Sequence, residues 1–78
     1  MKLKKLVTVD SLFTAELIEK FLEEQGIPVV IKRSDMFDNP YLGSTGPREL
    51  YVNELDFETA KKLLEESKIV EDRDNLEE

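Results

Sequence analysis

Leu22-Glu23-Glu24-Gln25-Gly26-Ile27-Pro28-Val29-Val30-Ile31-Lys32 reads as a helix that stops and a strand that starts. Gly26 is the pivot, because a left-handed residue at a helix end has no steric cost for glycine. Upstream, Leu17, Ile18, Phe21 and Leu22 recur at helical spacing and predict one apolar stripe. Glu16, Glu19, Lys20, Glu23 and Glu24 take the opposite side. Ser11 is the expected N-cap, since its hydroxyl can accept from an orphan amide of the first turn. Before it, Lys4–Val9 (Lys4-Lys5-Leu6-Val7-Thr8-Val9) has the β-branched composition of a strand. Downstream, residues 27–32 form the second strand, with Pro28 near its start where no ladder amide is needed. The segment is therefore strand, helix, strand.

Working outward to the C-terminus, residues 34–46 form a long loop. Arg48–Val52 alternates Leu50 and Val52 against Glu49 and Tyr51 and predicts a third strand. A second helix starts at Asp56, or at Asn53 before it, with Phe57, Ala60, Leu63 and Leu64 as its apolar stripe. Lys68-Ile69-Val70 is a candidate fourth strand at the edge. Two strand–helix–strand units joined by a central strand pair predict an α+β, ferredoxin-like (split βαβ) two-layer sandwich. Its sheet is antiparallel and carries two helices on one face. Val7, Val9, Val29, Ile31, Leu50 and Val52 are the expected core. Leu6, Thr8, Val30, Lys32, Glu49 and Tyr51 are expected on the uncovered face. Leu6, Val30 and Tyr51 would there make an apolar strip suited to self-association or a protein partner.

The chain has 78 residues, enough for one domain, which we place at residues 1–70. Residues 71–78 hold five acids, one base and a single apolar side chain, so they read as an acidic, disordered tail. With no cysteine and no histidine, disulfides, imidazole catalysis and thiol nucleophiles are excluded. The formal charge of −7 argues against a nucleic-acid partner. No apolar run approaches the ~20 residues of a membrane span, and Leu6–Val9 is too short for a secretory core, so a cytoplasmic location is expected.

No side-chain constellation predicts catalysis, a metal or a cofactor. Gly43-Ser44-Thr45-Gly46 could cradle an anion, but it leads into a strand and lacks the lysine of a phosphate-binding loop. Asp35, Asp38 and Asn39 do not have calcium-loop spacing. Glu23-Glu24 and Glu65-Glu66 are adjacent on helices and diverge. Ser11, Ser34, Ser44 and Ser67 have no base to activate them. Met36, Phe37, Tyr41 and Leu42 crowd apolar groups into the long loop, and Arg48 beyond it offers a fork for a carboxylate or phosphate. Tyr41, Gly43, Ser44, Thr45, Gly46 and Arg48 are therefore the candidate partner- or ligand-binding loop.

The series Leu6-Val7-Thr8-Val9, Ala15-Glu16-Leu17-Ile18, Glu24-Gln25-Gly26-Ile27-Pro28-Val29, Gly46-Pro47-Arg48-Glu49-Leu50-Tyr51-Val52 and Ala60-Lys61-Lys62-Leu63-Leu64 resembles a family of small bacterial domains. They are labelled putative prokaryotic signal-transducing protein, a family of unknown function similar in fold to the PII (GlnB-like) nitrogen-signalling proteins. The resemblance covers about residues 4–66. It implies a ferredoxin-like fold and a regulatory role. PII proteins also read nucleotides and carry a long loop with a modifiable tyrosine. The loop here is shorter and has no nucleotide motif, although Tyr41 falls in the corresponding connection. The expected function is a small regulatory, signal-transducing or protein-interaction module without catalysis. The alternatives are a small-anion or metabolite-binding domain and a carboxylate-based enzyme.

Overall fold

A computed structural model of the chain describes residues 2–33 and 46–67. Its elements run β1 (Leu3–Val9), α1 (Leu12–Glu24), β2 (Val30–Arg33), β3 (Arg48–Asn53), a 3₁₀ turn (Glu54–Asp56) and α2 (Phe57–Ser67). The described strands are ordered β1-β3-β2, and β3 pairs antiparallel with both neighbours. β1 and β2 are consecutive in sequence, yet β3 lies between them, and α1 makes the connection. This is the split βαβ arrangement of a ferredoxin-like sandwich. The expected strand Lys68–Val70, the loop 34–45 and the tail 71–78 lie outside the described residues.

Local chemistry sets the element ends. Ser11 Oγ accepts from the Thr14 amide at 3.3 Å, and the Ser11 carbonyl accepts from the Ala15 amide at 3.1 Å, so the expected cap is in place. At the other end Gly26 has φ +86°. The Ile27 amide donates to the Leu22 carbonyl at 2.9 Å and the Gly26 amide to the Glu23 carbonyl at 3.0 Å. This pair of bonds is a Schellman stop. It tucks Ile27 into the core, and the regular strand begins only at Val30, three residues later than the sequence suggests. Asn53 Oδ1 accepts from the Leu55 amide at 3.0 Å and starts the 3₁₀ turn, so α2 itself begins at Phe57.

The core lies between the helices and one face of the sheet. Val7, Val9, Leu50 and Val52 are buried there with Ala15, Ile18 and Leu22 of α1 and Phe57, Ala60 and Leu64 of α2. Val29 is buried as expected. Ile31 is only partly buried and packs against the core from β2, one of the two edge strands among the described residues.

Two expectations fail for physical reasons. Leu6 does not lie on the uncovered face; it is fully buried in the core. Lys5 stands opposite Tyr51 and Val7 opposite Leu50, although Tyr51 and Leu50 are consecutive. Leu6 is thus the extra residue of a β-bulge, which shifts the alternation and turns two successive side chains inward. On α1 the ridge facing the sheet is Ala15–Ile18–Leu22. Phe21 only flanks the core, and Leu17 is exposed. The stripe read from sequence was correct in period but centred too far toward Leu17.

Candidate functional site

With both helices on one face, the register lays out the other. Val30, Tyr51 and Lys5 form one cross-strand row, and Lys32, Glu49 and Thr8 form the next. Thr8, Val30, Lys32, Glu49 and Tyr51 therefore share the uncovered face, as their alternation predicts.

Their side chains are linked. The Tyr51 hydroxyl donates to Glu49 Oε1 at 2.9 Å. Lys5 Nζ stands 4.0 Å from Glu49 Oε2. Lys32 Nζ lies 4.7 Å from the centroid of the Tyr51 ring, within cation–π range. The phenol is anchored at its oxygen and covered by an ammonium on its face. Both partners of the Lys5–Glu49 pair are partly in water, so its worth is orientation more than stability. Val30, beside Tyr51, is 41% exposed. The face is a half-apolar, half-charged patch with a fixed aromatic at its middle, which suits recognition. Among the described residues no cluster of acids could hold a metal ion.

Of the candidate loop residues, Gly46 and Arg48 are described; Tyr41, Gly43, Ser44 and Thr45 lie outside the described residues, as do Met36, Phe37 and Leu42. Gly46 adopts φ +101°, which only glycine takes without strain. Arg48 is on the core face, opposite Val9 on one side and Arg33 on the other, and is buried. Its Nη1 donates to the Gly46 carbonyl at 2.9 Å and to the Pro47 carbonyl at 3.2 Å. The guanidinium therefore fastens the chain just ahead of β3. The sequence suggested an exposed fork; the side chain is instead buried, with two backbone carbonyls among its partners.

Charge is segregated between the layers. The strands carry Lys4, Lys5, Lys32, Arg33 and Arg48 against Glu49 alone, while α1 carries Glu16, Glu19, Glu23 and Glu24 against Lys20. Partial burial, reinforced by the Glu23 and Glu16 carboxylates, raises the Glu19 carboxyl above its usual range. Two features escaped the sequence reading. Lys4 Nζ sits 3.9 Å from the centroid of the Phe57 ring at the rim of the core. Phe13, in the first turn of α1, is 72% exposed. Its spacing from Leu17 and Phe21, four residues at each step, is the signal that marks it.

The family model described as "Putative prokaryotic signal transducing protein" matches residues 3–68. No curated protein and no solved structure matches the chain.

Proposed function

The chain belongs to that family, and we propose that it works as a non-catalytic protein-interaction module whose contact surface is the face of the sheet left open by the described residues. The observation that carries this reading is the exposed Val30 beside a Tyr51 ring fixed by Glu49 and Lys32. An aromatic already held in place loses little freedom when a partner covers it, which favours affinity. Such aromatics are enriched among residues that dominate interface energies.

A second copy of the chain is one partner that this face could take, and association would close over Val30 and Tyr51. Leu6 has no part in it. The experiment is affinity capture on the wild type and on Val30→Glu, with sedimentation of both at micromolar concentration. A partner or an oligomer seen with the wild type and lost with a folded Val30→Glu supports the reading. A partner retained unchanged by Val30→Glu places the contact surface elsewhere.

A further inference from the structure

The second layer has an unpartnered feature of its own. Phe13, Leu17 and Phe21 are spaced four apart and form one ridge along α1. On one side this ridge adjoins the buried Ile18 and Leu22, and its innermost member, Phe21, packs against the core. Moving outward, Leu17 is 45% and Phe13 72% exposed. On the other side runs the row Glu16, Lys20, Glu24, all exposed, with Glu23 beyond it. Seven of the thirteen positions from Leu12 to Glu24 are apolar, and the sheet covers fewer of them than that.

The charges beside the ridge identify what fits on it. Glu23 and Glu24 occupy the last turn of α1, where the helix dipole is already negative and no basic residue offsets it. Acids there are unfavourable in isolation and become favourable once a cation approaches. A second copy packed α1 against α1 would set a border of Glu16, Glu23 and Glu24, offset only by Lys20, against the same border, and nucleic acid or an anionic membrane surface would be repelled by its net negative charge. A segment with apolar residues on one side and lysines or arginines flanking them satisfies both the ridge and its acidic border.

We propose that the Phe13–Leu17 ridge of α1 is a docking surface for a basic amphipathic helix of a partner protein. Phe13 and Leu17 supply the apolar contact, and Glu16 and Glu24 receive the partner's cations. This surface is on the opposite layer from the sheet face around Val30 and Tyr51, so the two can be occupied together. The signalling chain would then join two partners.

The test uses the full chain and a synthetic 14-residue leucine/lysine amphipathic peptide as probe, with a scrambled peptide of the same composition as control. Binding is read by calorimetry. The expected result is micromolar affinity for the amphipathic peptide and at least tenfold weaker affinity for the scrambled one. Phe13→Ala with Leu17→Ala should weaken binding at least tenfold, about 1.4 kcal/mol. Glu16→Lys with Glu24→Lys should do the same, while Glu58→Lys with Glu65→Lys on α2 changes the net charge equally and should leave affinity within twofold. Val30→Glu should also leave it within twofold, which separates this site from the sheet face. Equal binding of both peptides, equal loss with the α2 variant, or no binding at all would overturn the proposal. So would a wild-type dimer dispersed by Phe13→Ala with Leu17→Ala, because it would make a second copy the occupant.

Discussion

The two faces of the sheet are built from the same three strands and differ in what alternation is allowed to do. On the open face Val30, Tyr51 and Lys5 line up across the strands, and Lys32, Glu49 and Thr8 do the same. On the covered face β1 breaks the alternation, and Leu6 joins Val7 under the helices. The bulge thus moves one large apolar side chain from the solvent side to the core. The covered face gains packing, and the open face is left with Val30 and Tyr51 set among Lys5, Lys32 and Glu49. A domain this small needs every apolar group it can bury. An open face that keeps charged groups beside its apolar ones also resists non-specific association.

Substitutions on the covered face should break this division most strongly. Phe57 is almost fully enclosed by the core, with Lys4 against its ring, so Phe57→Ala should lose about 3–5 kcal/mol in a urea melt. A loss below about 1 kcal/mol would mean that α2 does not seat on the sheet as described. Phe21, only flanking the core, should fall lower, with Phe21→Ala costing about 1–3 kcal/mol. A value as large as that of Phe57→Ala would move the buried ridge of α1 toward Phe21 and Leu17.

Smaller effects sharpen the comparison where the layers join. Gly26 has φ +86° and open space where a Cβ would point, so Gly26→Ala meets strain without a clash. The expected loss is about 1 kcal/mol by thermal or chemical melt, and no loss would remove the left-handed stop between α1 and β2. Glu19→Gln should have the smallest effect and the opposite sign. The Glu19 carboxyl titrates higher in the folded chain than in the unfolded one, so folding takes up a proton between the two values. Its contribution to stability therefore falls as pH rises through that window and stays unfavourable at neutral pH. Glu19→Gln should raise the melting midpoint at pH 7 and flatten the gain in stability on acidification. An unchanged pH profile would mean that neither burial nor the Glu23 and Glu16 carboxylates raise the Glu19 carboxyl.

Much of this was legible from the residues. Ser11, Gly26 and Asn53 fix element ends through local hydrogen bonds, and local chemistry can be read from a short window. The period of each apolar stripe was equally plain. The bulge at Leu6 was not, because the adjacent apolar pair Leu6-Val7 also fits a regular strand with one apolar side chain on each face; only the pairing with Tyr51 and Leu50 exposes the extra residue. The rotation of α1 was hidden for a related reason. Its apolar residues span more than one face, and the sheet decides which ridge is covered. Of the candidate site, the row of Lys32, Glu49 and Tyr51 on the open face followed from parity. The burial of Arg48 did not, since an arginine after Gly46-Pro47 gives no hint that two backbone carbonyls will hold it.

The division of the sheet into a packed and an open face is tested most directly by setting Leu6→Glu beside Val30→Glu in one urea titration. In a regular strand the two positions would be equivalent, both on the open face. The bulge predicts that Val30→Glu keeps a cooperative transition within about 0.5 kcal/mol of the wild type. Leu6→Glu, which forces a charge into the core, should abolish cooperative unfolding. A Leu6→Glu chain that melts like Val30→Glu would return Leu6 to the open face and contradict the account.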